Sequence, residues 1–177
     1  TGDWEKYAKL LADQADKVLD PELKSDFLKK VASVRLEKLQ DVEAAVTRFR
    51  EVLEENPEDQ DAIAALDHIF THLERWDDLV ENLRRQIRIA DDEETSVALQ
   101  FRMGQVYQLN MQDIPHAIEA YREILNIAPD HSPTLQSLEL IFAEGEHQTE
   151  IADILEPIYY SSESWEKLVR LGEVKLG

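Results

Sequence analysis

The chain has 177 residues, 43% of them hydrophobic, and 38 acidic against 19 basic residues give it a formal net charge of −19. That apolar content supports a folded protein, while the acidic excess argues against nucleic acid as a partner, since phosphate-backbone binding needs clustered Lys and Arg. No apolar run approaches the ~18 residues of a membrane span, so membrane insertion is not expected, and the lack of cysteine excludes disulfides and thiolate metal sites.

The segments read as successive helices. Trp4–Val18 has helical spacing at Trp4, Tyr7, Ala8, Leu11 and Ala15, with Asp3 placed as its cap. Asp20-Pro21-Glu22 opens the next: a capping acid, proline at the first helical position and an acid in the first turn. This helix is predicted to reach about Gln40, with Leu23, Phe27, Val31, Val34 and Leu39 on its apolar face. A third spans Val42–Glu55 and closes at Asn56-Pro57, because a residue before proline is pushed out of helical geometry. The fourth covers Gln60–Leu73. Arg75-Trp76 opens a fifth to about Ala90, Asp91-Asp92 a sixth to about Leu109, and Asp113–Pro129 frames the seventh. Ser132-Pro133 starts the eighth, which Gly145 stops. Gln148–Tyr160 reads as a ninth through Ile151, Ile154, Leu155 and Ile158, and Pro157 inside it bends or breaks the helix. Ser164-Trp165 opens a tenth that runs almost to Gly177. No strand alternation is sustained, and short connections between helices force antiparallel neighbours, so the fold is all-α.

Two of these segments are copies of each other. Asp113–Pro129 repeats Asp41–Pro57 at an offset of 72 residues: Ala45/Ala117, Arg50/Arg122, Glu51/Glu123, Leu53/Leu125 and Pro57/Pro129 coincide, and Phe49 matches Tyr121. The register also holds at Trp4/Trp76, Leu11/Leu83, Gln14/Gln86, Leu66/Leu138 and Phe70/Phe142. Fixed-period repetition is the mark of stacked units that bury each other's apolar faces. Ala45 and Ala117 are small where helices cross, and Phe49 and Tyr121 fill the space against the neighbouring pair.

Half of that offset is close to the two-helix unit of the tetratricopeptide repeat. Gly104 and Tyr107 fall at that family's small and tyrosine positions on the first helix, and Ala117, Tyr121 and Pro129 at the small, aromatic and proline positions of the second. Ala32, Ala45, Phe49 and Pro57 repeat the pattern. A degenerate copy runs through Ile63, Leu66, Phe70, Trp76, Leu79 and Leu83, and a weaker one through Leu135, Leu138 and Phe142. The chain therefore resembles the tetratricopeptide-repeat family over nearly its whole length. The departures are Asp67 and Glu139 in place of the small residue, Arg35 in place of the tyrosine, and two units one residue long between helices. The resemblance implies one right-handed α-solenoid of antiparallel helix pairs over residues 1–177, of about ten helices. It would have partial units at 1–20 and 162–177 and repeats at about 22–57, 58–91, 94–129 and 131–160. Trp4, Tyr7 and Leu11 at one end, and Leu168, Leu171, Val174 and Leu176 at the other, would lack a neighbour. A segment of a longer array, or end-to-end self-association, is the expectation.

The chemistry-bearing residues have plainer explanations. His68 and His72 share a helical face in metal-ligand spacing, but no HExxH pattern or local third ligand accompanies them. Paired acids such as Asp77/Asp78 point to different sides of a helix and serve as caps and solvated charge, while Glu5/Lys9 and Glu81/Arg85 read as surface i,i+4 pairs. Ser161-Ser162 have no local base, and no phosphate-binding glycine loop exists. No catalytic constellation and no cofactor follow. In the family the first helices line a concave groove for a peptide or partner helix. Carried over, that groove comprises Lys29, Ser33 and Leu36, then Ala64, His68 and Thr71, then Phe101, Gln105 and Gln108, then Gln136 and Leu140. The function this implies is a non-enzymatic protein–protein interaction scaffold. The alternative is a regulatory array whose curvature changes when a small peptide or molecule binds. No signal peptide is evident, and a cytoplasmic location is favoured without being fixed.

Overall fold

The computed structural model describes the backbone of residues 2–176 and the side chains of residues 2–173. Its helices are α1 (Gly2–Ala15), α2 (Pro21–Glu37), α3 (Val42–Glu55), α4 (Gln60–His72), α5 (Trp76–Ile89), α6 (Glu93–Gln105), α7 (Ile114–Ile127), α8 (Ser132–Glu144), α9 (Gln148–Ser161) and α10 (Trp165–Leu176). A π-helical turn, Val106–Met111, prolongs α6, and no strand forms among the described residues. The chain packs as two compact units, residues 1–89 and 90–177.

Aspartate caps five of the ten helices. Asp20, Asp41, Asp59, Asp92 and Asp113 each accept a backbone N–H from the first turn that follows. Each such cap is worth ~1 kcal/mol, so part of the acidic excess is structural. Asp3 is different: α1 already starts at Gly2, which leaves Asp3 inside the first turn, where it faces the helix dipole without capping it. The buried face of α2 also differs from the expected one. Leu28, Val31 and Ala32 are buried there, whereas Leu23 is exposed. Helix α9 runs unbroken through Pro157. Pro157 lies on the exposed face of α9, where the helix tolerates the N–H that proline withholds.

The expected extra residue between helices is visible in both long units. The N–H of Asp41 reaches the carbonyl of Arg35 (2.9 Å) and that of Asp113 the carbonyl of Tyr107 (2.8 Å), both six residues back. In the second copy the π-helical turn Val106–Met111 absorbs the extra residue, whereas in the first α2 ends at Glu37. Gln40 and Gln112, at matching positions, take the left-handed conformation (φ 55°) that lets the chain reverse.

Within each unit the middle of one helix lies against the start of the helix two further on. In residues 1–89, Lys29 of α2 meets Asp59 and Asp61 at the start of α4, and Arg50 of α3 meets Asp78 in the first turn of α5. In residues 90–177, Phe101 of α6 packs on His131 before α8, Glu139 of α8 meets Lys167 at the start of α10, and Arg122 of α7 meets Glu150 in α9. Arg50–Asp78 and Arg122–Glu150 are one pair repeated at the 72-residue offset. Sequence neighbours run antiparallel: Glu5 near the start of α1 pairs with Arg35 near the end of α2 (2.9 Å), and Lys24 in α2 with Glu55 at the end of α3. Leu168 and Leu171 of the expected end face are half-buried and buried, while the side chains of Val174 and Leu176 lie outside those described.

The tightest fit is at Gly104. A β-carbon there would stand 2.9 Å from Cδ1 and 3.1 Å from Cζ of Tyr121, and closer still to Cε1. Tyr121 is fully buried, and its hydroxyl is held by Gln108, so the ring has no free path away. Gly104→Ala is expected to cost ~1–3 kcal/mol of stability. A urea-unfolding midpoint unchanged from the parent would contradict this fit.

Candidate interaction surfaces

The expected first-helix residues of residues 1–89 divide into engaged and open groups. The Lys29 ammonium donates to Asp59 Oδ2 (3.0 Å) and Asp61 Oδ2 (3.2 Å). The hydrogen bond to Asp59, set against a smaller cost of burial, raises its pKa, so the cation is fixed within the fold. Asp59 serves two purposes, because its other oxygen caps α4 through the N–H of Ala62 (2.9 Å). Ser33 is exposed, with its hydroxyl donating to the carbonyl of Lys29 (3.0 Å), and Leu36 is half-buried. Ala64, His68 and Thr71 are all exposed on α4. The rings of His68 and His72 stack with centroids 6.1 Å apart. Among the described residues, no group of three or more His, Asp or Glu is placed to hold a metal ion.

The corresponding residues of the second unit divide in the same way. Phe101 is half-buried, with its ring between Tyr121 (5.8 Å) and His131 (5.4 Å). Gln108 accepts the Tyr121 hydroxyl (2.8 Å), whose pKa burial pushes up. Both side chains thus support the buried ring. Gln105 is half-buried. Gln136 is exposed and donates to Ser132 Oγ (3.1 Å), and Leu140 beside it is 64% exposed. The open part of this face is therefore Gln136 and Leu140.

One polar cluster was not anticipated. Glu139, where the family resemblance leads one to expect a small residue, accepts the Tyr159 hydroxyl and the Lys167 ammonium (2.7 Å). It edges a cavity of about 310 Å³ floored by Phe142, Leu155 and Leu171, with Arg170 at the rim. The departure from a small residue was the available signal, but its partners are distant in sequence. Partial burial by itself would raise the Glu139 pKa; the hydrogen bonds from Lys167 and Tyr159 outweigh it, and the carboxyl is held below the ordinary range. Burial first, and then the carboxylate, push the Tyr159 phenol above its ordinary value. The surface pair expected at Glu81/Arg85 is replaced by a longer reach: Arg85 Nη1 donates to the carbonyl of Leu53 (3.3 Å).

Comparison with known proteins adds little beyond this geometry. No protein-family model matches the chain, and no curated protein matches it. Among solved structures, a crystal structure of MamA is similar, at 17% identity, covering 94% of this chain and 92% of that one with a TM-score of 0.48. At that identity and score the likeness carries no statement about function. No described helix is long and apolar enough to cross a membrane.

Because the Glu139 pKa is lowered on folding, its contribution is complete above the ordinary carboxylate pKa and is lost as pH falls through the lowered value. Tyr159→Phe removes one of its two donors, so the Glu139 pKa is expected to rise. A carboxyl-carbon NMR titration reads this directly, and an unmoved Glu139 would contradict the cluster.

Proposed function

We propose that this chain is a non-enzymatic protein–protein interaction scaffold of the tetratricopeptide type, whose first-helix faces receive a peptide or partner helix. The observation that carries this reading is a set of exposed, uncharged side chains on one helix of each unit of a chain of net charge −19. Ala64, His68 and Thr71 are exposed on α4, and Gln136 and Leu140 on α8. An exposed leucine flanked by an amide offers an apolar anchor with a hydrogen-bonding neighbour, the combination that groove recognition of peptides uses. Phe101 and Gln108 contribute by holding Tyr121 and so shaping the face, and Lys29 by fixing the start of α4.

The test is affinity capture from native lysate with the parent chain and with a Gln136→Ala/Leu140→Asp variant. Both side chains are exposed, so helicity by circular dichroism is expected to stay unchanged while capture of the partner is lost. Capture that survives with helicity intact would refute the assignment of this face.

A second reading rests on α1, where Trp4, Tyr7 and Leu10 are 42%, 44% and 55% exposed. Such a patch supports self-association through the terminal helix. Sedimentation velocity is expected to show a concentration-dependent mass that Trp4→Ser/Leu10→Glu abolishes. A parent chain monomeric at all concentrations would remove this reading.

A further inference from the structure

The two copies of the repeat differ at one place in a way that leaves a site open. In the first, α3 ends at Asn56-Pro57, and because proline has no N–H, the carbonyl of Leu53 has no donor from its own helix. Arg85 of α5 supplies one, its Nη1 lying 3.3 Å from that oxygen, and the side chain bridges α5 to α3. Seventy-two residues on, Leu53, Pro57 and Arg85 become Leu125, Pro129 and Pro157. Pro129 again withholds its N–H, but Pro157 has no side-chain donor. Among the described residues, no side-chain donor stands at the Leu125 carbonyl where Arg85 stands at that of Leu53. Between α7 and α9 there is instead an open groove of about 710 Å³, whose lining includes Arg122, Leu125, Pro129, Ile154, Pro157 and Ile158.

We propose that this groove binds an arginine side chain of a basic protein segment, whose guanidinium takes the place that Arg85 holds in the other copy. The shape and charge of the site favour that occupant. Leu125, Ile154, Pro157 and Ile158 suit the aliphatic stem, and the Leu125 carbonyl accepts from the guanidinium. Asp153 and Glu150 line the groove together with Arg122, which pairs with Glu150 (2.7 Å), so the acidic side chains of the lining outnumber the basic one. Residues 90–177 carry 17 acidic and five basic residues, a field that draws in a cation. Lysine is the poorer fit, because a compact ammonium lacks the planar fork that can serve a carbonyl and a carboxylate together. The site lies on second helices of the repeat and goes beyond the first-helix reading above.

The experiment is an amide NMR titration of the whole chain with the peptide acetyl-Ala-Leu-Arg-Leu-Ala-amide and its lysine counterpart. Saturable shifts are expected at Leu125, Asn126 and Ile154, with the lysine peptide roughly tenfold weaker. Pro157→Arg, which restores the other copy's donor, is expected to abolish the shifts, and Pro157→Ala, which leaves the groove open, to retain them. Neither substitution threatens α9, since removing an interior proline favours the helix. Absence of shifts in the groove, equal binding by Pro157→Arg, or equal binding of the arginine and lysine peptides would each overturn the proposal. None of these outcomes bears on capture through Leu140.

Discussion

An isolated pair of amphipathic helices cannot cover its own apolar surface, and that constraint governs both units of this chain. Within each unit the middle of one helix lies against the beginning of the helix two places further on. The contacts that set this register are electrostatic as well as apolar: Lys29 with Asp59, Arg50 with Asp78, Arg122 with Glu150 and Lys167 with Glu139. Each joins the body of one helix to the first turn of another, where carboxylates are already favoured by the dipole, except the last, where the charges are exchanged. Partly exposed pairs of this kind contribute little stability individually, ~0–1 kcal/mol. Their value is positional, while the energy comes from buried residues such as Phe70, Leu83, Tyr121 and Leu155.

The repeat also explains where the acidic residues reside. Asp59 shows the economy of the arrangement, with one oxygen capping α4 and the other holding Lys29. Asp113 caps α7 and bonds His116 Nδ1 at 2.7 Å. A chain can therefore carry a large negative charge without its carboxylates marking catalytic or metal chemistry.

Much of the fold was legible from local signals. Asp-Pro, Asn-Pro and Ser-Pro steps bounded helices correctly because they act on the backbone within a residue or two, and Val42–Glu55 came out as expected. Errors arose where a distant neighbour decides the outcome. Leu23 has apolar character and suitable spacing, yet it is exposed and Leu28 is the buried leucine of α2. Arg85 has a glutamate one turn away, but Pro57 leaves a carbonyl vacant that draws it across to α3. The candidate surface was readable as a face and not as a set of available groups. Nothing in the sequence shows that Lys29 is held by two aspartates or that Gln108 is engaged by a buried tyrosine.

Comparison of the two copies is most informative where they diverge. Ala32 with Phe49 becomes Gly104 with Tyr121, a smaller residue facing a larger ring. Asp67 becomes Glu139, which reaches Tyr159 and Lys167, and Arg85 becomes Pro157. These changes leave the stacking register in place while altering the surfaces it presents. The most direct measurement of the common register is the NOE pattern of the two matching rings in one NOESY spectrum. Repeated packing places the Tyr121 ring against the Gly104 α-protons and the Phe49 ring against the Ala32 methyl, so both cross-peaks are expected. A spectrum in which either ring lacks its cross-peak would contradict the account of one packing used twice.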